Sequence, residues 1–401
     1  MSRRSYEPQW LHQSKLACQR NRWSGYGRPG HEHAPYRHWA FEGGSLMVAS
    51  GNGPTVGTDG AAKLLSIRIA HIGAHSGYHC LTRYVGEPIT IGGTRWASGR
   101  LSRWLTVGLC TLARVPWYSP GSFALEVRGG ATMLSSRGLI YHVLQADNDL
   151  WLTPLLATLT KNRVIGTVHQ PPSEIERAGG PWANWSRLDK IVTVSRHQAA
   201  YLQSVLPGSQ VEFVPHGVDT DFFTPPPDRA PTLDRAKILC VGKHLRDFDV
   251  LERVVMQLSR RSAGCRFTLI GLPANLVSRF RQLGATCPVG LSDHDLRDAY
   301  RSADIMVLPL KESTANNALL EAMACGLPTV VSAVGGVLDY VVAGSAVLVP
   351  AGDAEAMSEA VVDLLENESH YRSISLLARQ QAMRFRWEDV GKQMSDIYAS
   401  V

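Results

Sequence analysis

The stretch that most constrains this chain runs over residues 304–340, DIMVLPLKESTANNALLEAMACGLPTVVSAVGGVLDY. Ile305 to Leu310 is an apolar run of the kind a parallel strand buried on both faces requires. The polar elbow Lys311-Glu312-Ser313-Thr314 follows, with hydroxyls that can cap a helix starting near Asn316. Leu319, Leu320 and Met323 fall at core spacing on that helix. Gly326 permits a left-handed cap and Pro328 forbids continuation, so the helix ends there. A second apolar strand, Thr329 to Val331, leads to Gly335-Gly336 and a further predicted helix. The order strand, elbow, helix, strand is that of a parallel α/β sheet.

This pattern has a chemical consequence. A helix start presents free backbone amides, which attract phosphate, and the carboxylates Glu312 and Glu321 on either side can accept hydrogen bonds from vicinal hydroxyls. A sugar nucleotide offers both kinds of group. Taken alone, the same pattern also describes an ordinary crossover with a capped helix.

The run ESTANNALLEAMACGLPTVVSAVGG resembles the signature of the retaining family-4 glycosyltransferases, which have two Rossmann-like domains facing a cleft, the GT-B architecture. In that family two glutamates flank this elbow, the first on the donor sugar and the second on the donor ribose. Glu321 matches the second. Glu312 stands one residue farther away than the family spacing, and strict register puts Ser313 in the first position. Either the elbow has slipped by a residue, or Thr314, Asn316 and Asn317 take over sugar recognition.

A length of 401 residues with 44% hydrophobic and 19% charged residues is ordinary for a soluble globular protein of two or three domains. No apolar run approaches the roughly 18 residues of a membrane span, and no signal-peptide core is present at the N-terminus. The seven cysteines (18, 80, 110, 240, 265, 287 and 325) show no CxxC spacing and read as reduced thiols of a cytosolic protein. A net charge of +6 allows an anionic surface as partner.

Residues 1–63 lack a sustained period and are rich in turn formers, so they are expected to be a disordered extension or to precede the true start, with Met47 a candidate start; His31, His33 and His38 there are read as incidental. The first clear strand is predicted over Leu64 to Ile72, running into a glycine loop, Gly73 and Gly77, and then a helix. The resemblance places this loop near the acceptor, across the cleft from the donor. His71, His75 and His79 recur every fourth residue, but the loop breaks any common face, so no metal is expected.

Arg83, Arg95, Arg100, Arg103 and Arg114 interleave with Trp96, Trp104, Trp117 and Tyr118, against the single acid Glu87. A helix over 97–113 is predicted to carry an apolar and an arginine-bearing face, suited either to packing on its sheet or, within 95–118, to an anionic membrane surface. No RNA-binding signature accompanies it, and no nucleic acid is expected.

Strands are predicted over Leu139 to Leu144, Val164 to Val168 and Leu188 to Ser195. Asp147 and Asp149 form a DxD, the metal motif of the other glycosyltransferase architecture, read here as a polar loop tip. His169 lies just past a strand end, at the rim where α/β proteins bind ligands. The resemblance places a histidine of this position at the sugar's reacting carbon.

The second domain opens with the strand Lys237 to Val241 and the loop Gly242-Lys243-His244-Leu245-Arg246. In the family a glycine, an arginine and a lysine here grip the donor diphosphate. Lys243 stands in the arginine position, no lysine follows in register, and Arg246 is the nearest cation. Two cations could neutralise a diphosphate without metal.

The expected organisation is an N-terminal acceptor-side domain over 64–223, a proline-rich linker over 224–235, a donor-binding domain over 236–384, and a terminal helix over 385–401 returning to the first domain. The expected activity is retaining sugar transfer from a nucleotide-diphosphate sugar to a hydroxyl acceptor (glycan, lipid-linked or small molecule), without cofactor or metal, in the cytoplasm or at the inner membrane surface. His169 and Glu312 are the expected catalytic residues. Gly242, Lys243, Arg246, Ser313, Thr314, Asn316, Asn317 and Glu321 are the expected donor-binding residues. The alternatives are a nucleotide-sugar epimerase or hydrolase on the same architecture, or a degenerate member that binds a sugar nucleotide without turnover.

Overall fold

The computed structural model describes residues 63–67, 73–92, 117–227 and 235–401, with the backbone alone for 63–67 and Gly92. The extension 1–62, the segment 93–116 with its predicted basic helix, His71, and most of the linker lie outside the described residues.

Two parallel sheets organise the chain. The first is six-stranded, in the order β2-β1-β3-β4-β5-β6, and the second five-stranded, in the order β11-β10-β9-β7-β8. The first comprises β1 (Lys63–Ile67), β2 (Ile89–Gly92), β3 (Ile140–Val143), β4 (Arg163–Val168), β5 (Lys190–Thr193) and β6 (Val211–Phe213). The second comprises β7 (Lys237–Val241), β8 (Arg266–Ile270), β9 (Ile305–Leu308), β10 (Thr329–Ser332) and β11 (Val347–Val349). The strands predicted above are present, β7 with the expected bounds and others with ends displaced by a few residues, and residues 68–72 of the first lie outside the described residues.

Alternation along the central strands divides the second lobe's core in two. Ile238, Cys240, Ile305 and Val307 face one apolar layer. Leu239, Val241, Met306 and Leu308 face the other, together with Leu319, Leu320 and Met323 of the helix Asn317–Ala324. Strands covered on both sides must be apolar throughout, which is why β9 reads as an unbroken hydrophobic run.

The terminal helix Trp387–Ala399 packs on the first lobe. Trp387, Val390, Met394 and Ile397 repeat at helical spacing and pack on Ile140, Ile165, Val192 and Val194 of the first sheet. Tyr340 also joins the lobes: its hydroxyl donates to the Val194 carbonyl at 2.6 Å and accepts from the His216 amide at 2.9 Å.

Several expectations are corrected. The DxD is no loop tip: Asp147 and Asp149 lie buried in the short helix Ala146–Asp149, because Asp147 is needed inside to accept a backbone amide. The elbow helix is capped by Asn316, whose side chain accepts from the Leu319 amide, and not by Ser313 or Thr314. The element after the glycine loop is a 3₁₀ helix, Tyr78–Arg83. The five described cysteines are buried and form no disulfide with one another, in keeping with the expected reduced thiols.

Candidate active site

The carboxyl ends of β7 and β9 are tied together. Arg246 forms an antiparallel bridge with Leu310, the Asp247 amide donates to Pro309 and the Lys311 amide to Leu245. This pairing bends the loop after β7 so tightly that Gly242 takes φ 92° and Leu245, a non-glycine, takes φ 54°. Strain of this kind persists only where surrounding contacts hold it.

Arg246 is the result. Its guanidinium is buried and donates to the Val241 carbonyl at 2.7 and 3.0 Å, to the His244 carbonyl at 3.2 Å, and to Asn316 Oδ1 at 3.3 Å. Burial pulls its pKa down from the ordinary value, yet an arginine remains charged. Its described partners are carbonyl and amide oxygens, with no carboxylate among them. A buried cation at a helix start, without a counter-ion of its own, suits an anion. Lys243 is exposed on the same turn, beside Gly242.

The elbow rests on Gly335-Gly336. A Cβ on either glycine would run into the backbone oxygens of Ser313 and Thr314, and the Gly336 amide donates to the Ser313 carbonyl at 2.8 Å. Ser313, Thr314 and Asn316 are buried and Asn317 is half-buried. The Thr314 hydroxyl donates across the cleft to the His169 carbonyl at 2.7 Å. Glu312, half-buried, accepts from the Ser173 hydroxyl of the opposite lobe.

His169 is fixed on three sides. Its amide donates to Asp147 Oδ1 at 3.1 Å, its Nε2–H donates to the Leu144 carbonyl at 2.8 Å, and the Tyr78 ring meets it edge-on at 4.8 Å. Because Leu144 offers only an acceptor, the neutral ring carries its proton on Nε2 and leaves Nδ1 as a base.

Glu321 is buried beneath the glycine loop. Its oxygens accept from the Ser76 hydroxyl and, at 2.8 Å, from the Tyr300 hydroxyl. Burial pushes its pKa up to about 7; the two hydroxyls oppose the rise and Asp293 adds to it. Gly73 packs against Asp293, whose carboxylate accepts from the His75 amide at 3.0 Å. Gly77, at φ 106°, turns the chain into the 3₁₀ helix. His75 pairs with Asp219 and His79 with the Gly73 carbonyl, so these two histidines do not converge, and no metal-ligating cluster occurs among the described residues.

The expected residues therefore gather along one seam: Gly242, Lys243, Arg246, the elbow, Glu312 and Glu321 on one side, His169, Gly73 and Gly77 on the other. Sequence reasoning missed Ser76 and Tyr300 and misread Asp147, whose roles arise only from long-range contact. A separate groove of about 760 Å³, lined by Arg196, Gln203, Phe213 and Arg384, opens elsewhere on the surface and holds none of these residues.

Known proteins similar to this chain are glycosyltransferases. Residues 235–367 match the family described as Glycosyl transferases group 1. A D-inositol 3-phosphate glycosyltransferase of Xylanimonas cellulosilytica is 28% identical over 286 residues, covering 63% of this chain and 67% of the relative. A GDP-mannose-dependent alpha-(1-6)-phosphatidylinositol monomannoside mannosyltransferase of Mycolicibacterium smegmatis is 26% identical, covering 61% of this chain and 72% of the relative. The chain is a glycosyltransferase of the GT-B architecture. Solved structures show the same fold. Sucrose-phosphate synthase from Thermosynechococcus elongatus superimposes with TM-score 0.66 at 17% identity, over 85% of this chain and 98% of that one. Anabaena HepE in complex with UDP-glucose superimposes with TM-score 0.65 at 14% identity, over 85% and 100%. The family match contains the transferase's Gly242, Lys243, Arg246, elbow and Glu321, whereas His169, Gly73 and Gly77 lie outside it. No described helix of the transferase is long and apolar enough to cross a membrane.

Proposed function

We propose that the enzyme transfers a sugar from a nucleotide-diphosphate sugar to a hydroxyl acceptor with retention of anomeric configuration. The observation that carries this reading is Arg246: a buried, charged guanidinium with no carboxylate among its partners, at the start of the helix that also carries Glu321. The diphosphate lies on Arg246, Lys243 and the amides at that helix start, and Glu321 takes the ribose diol. The relatives' activities, a D-inositol 3-phosphate glycosyltransferase and a GDP-mannose-dependent phosphatidylinositol monomannoside mannosyltransferase, support a nucleotide sugar as donor and an inositol- or glycan-type hydroxyl as acceptor.

The acceptor hydroxyl attacks the anomeric carbon on the face the diphosphate leaves. The carbon–oxygen bond to phosphate breaks, and the departing phosphate oxygen takes the hydroxyl proton. The protein supplies position and charge stabilisation of an oxocarbenium-like transition state. Glu312 and His169, brought to the same seam from opposite lobes, flank the sugar in this scheme, with Ser313, Thr314, Asn316 and Asn317 around the elbow. The cations already facing the diphosphate make metal unnecessary. Contact of residues 95–118 with an anionic membrane belongs to the same reading and rests on the basic, aromatic sequence.

A thermal-shift panel of nucleotide sugars identifies the donor, since a ligand at 100 times its Kd adds about 2.7 kcal/mol. Transfer to an added acceptor in excess chelator, with an axial or equatorial product bond matching the donor's, is the expected result. Release of free nucleotide regardless of acceptor would overturn transfer in favour of hydrolysis.

A further inference from the structure

A polar chain runs through the apolar core of the first lobe, and neither the fold nor the donor site accounts for it. It begins at Tyr398 in the terminal helix, whose hydroxyl lies 2.7 Å from Nδ1 of His142 on β3. Nε2 of His142 lies 2.7 Å from Oγ1 of Thr167 on β4. Thr167 in turn donates to the Tyr78 hydroxyl at 3.4 Å. Tyr78 opens the 3₁₀ helix directly after Gly77 and sets its ring edge-on against His169. Thr167 and His169 stand two positions apart on one strand and its exit, so they share the same backbone path.

All four residues are buried, and their neighbours on β3 and in the terminal helix are apolar. Burial, reinforced by nearby His169, drives the His142 pKa down to about 3, so the ring is neutral and has one donor and one acceptor nitrogen. With Thr167 donating to Tyr78, the order is fixed. Tyr398 O–H donates to Nδ1, Nε2–H donates to Thr167, and the Thr167 hydrogen goes on to Tyr78. Stability alone does not call for such a chain, because replacing buried hydrogen-bonded partners by apolar groups of like shape is close to neutral. What it adds is direction: the Tyr398 and Thr167 hydroxyls each have one satisfied orientation, and Tyr78, the last member, bears on the His169 ring.

We propose that Tyr398, His142 and Thr167 are positioning residues for His169 and the glycine loop, so that docking of the terminal helix sets the catalytic geometry through Tyr78. The proposal rests on His169 being a catalytic residue of the transferase. It makes the last turns of the chain, remote in sequence from every donor-binding residue, a determinant of turnover.

Tyr398→Phe tests it, since the ring and its packing remain and only the hydroxyl is lost. The expected result is a kcat lowered between about ten- and a hundredfold, the scale of a small misplacement. Nucleoside diphosphate Kd should stay within about twofold, and the His169 ring resonances should shift in a spectrum of ¹⁵N-histidine-labelled enzyme. His142→Gln, which keeps a donor and an acceptor, is expected to retain more kcat than His142→Leu. Wild-type kcat with unmoved His169 resonances in Tyr398→Phe would overturn the proposal, as would equal activity of the Gln and Leu variants. Equal losses in kcat and nucleotide affinity, together with a lowered unfolding midpoint, would show a structural role and also overturn it. If His169→Ala turns over at the wild-type rate, the catalytic reading of His169 fails; the relay is then decided by the His169 resonances alone.

Discussion

The Ser76 hydroxyl donates to the Glu321 carboxylate across the seam between the lobes, although the two residues are 245 positions apart. The glycine loop thus contacts the group proposed to hold the donor ribose. Tyr300 takes the other oxygen at 2.8 Å, so each oxygen of Glu321 accepts from a protein hydroxyl.

Ser76→Ala is expected to bind nucleoside diphosphate more tightly. A ribose hydroxyl then no longer displaces a protein hydroxyl, and a net hydrogen bond of about 1 kcal/mol corresponds to roughly fivefold in Kd. Titration calorimetry measures it. Weaker binding would show that Ser76 contacts the bound nucleotide instead.

The buried Glu321 makes donor affinity depend on pH. Its folded pKa of about 7 lies above the ordinary 4.5, so burial favours the protonated form. Stability from that form is complete below about 4.5 and is lost as pH rises through about 7. Ribose hydroxyls favour the ionised form, so nucleotide affinity should fall as pH drops below about 7, by up to about tenfold per unit, with release of a proton on binding. The groups that set this titration are the Ser76 and Tyr300 hydroxyls and Asp293. Calorimetry in buffers of different ionisation enthalpy reads the proton, and the slope should vanish in Glu321→Gln.

Gly336→Ala should damage turnover through the elbow. The added methyl meets the Thr314 carbonyl and, at 2.7 Å, the Ser195 side chain, so the elbow has to shift. Overpacking of this kind costs about 1–3 kcal/mol. The unfolding midpoint and kcat should fall together, and a variant with wild-type values of both would refute the tight seating of the elbow.

Lys243 and Arg246 are expected to separate by readout. Lys243→Ala, at an exposed position, should weaken nucleotide binding in a salt-dependent way and leave unfolding unchanged. Arg246→Ala removes bonds to Val241, His244 and Asn316 and should lower stability by about 2–4 kcal/mol along with affinity. Denaturant unfolding beside calorimetry distinguishes them; unchanged nucleotide affinity in both variants would move the diphosphate elsewhere.

Glu312→Gln should leave the affinity for bare nucleotide nearly unchanged while lowering turnover and sugar discrimination. Asn316→Ala removes the helix cap and should cost about 0.5–2 kcal/mol of stability. Steady-state rates with several donor sugars decide between Glu312 and the neighbouring elbow residues. A Glu312→Gln enzyme with wild-type turnover and preference would assign sugar recognition to Ser313, Thr314 and the asparagines.

The second lobe was legible in the sequence because its determinants are local. The run Ile305 to Leu310 reads as a strand covered on both faces and is one over Ile305–Leu308, and the helix Asn317–Ala324 ends where Gly326 takes φ 60° and Leu327 donates back to Ala322. Residues that meet within a turn or two leave a pattern in the chain, and so do the cations and carboxylates around the elbow. The occupancy of those groups leaves none. Tyr300 and Ser76 reach Glu321, Asp147 holds His169, and His142 links Tyr398 to Thr167 only because the packed sheets, loops and terminal helix bring distant segments together. The DxD shows the difference most plainly. In sequence it is a pair of exposed-looking acids, and the choice between loop tip and buried acceptor fell to β4, whose exit places the His169 amide 3.1 Å from Asp147. Burying a carboxylate is unfavourable unless an amide or hydroxyl meets it, and where that partner stands is a property of the packed sheet alone.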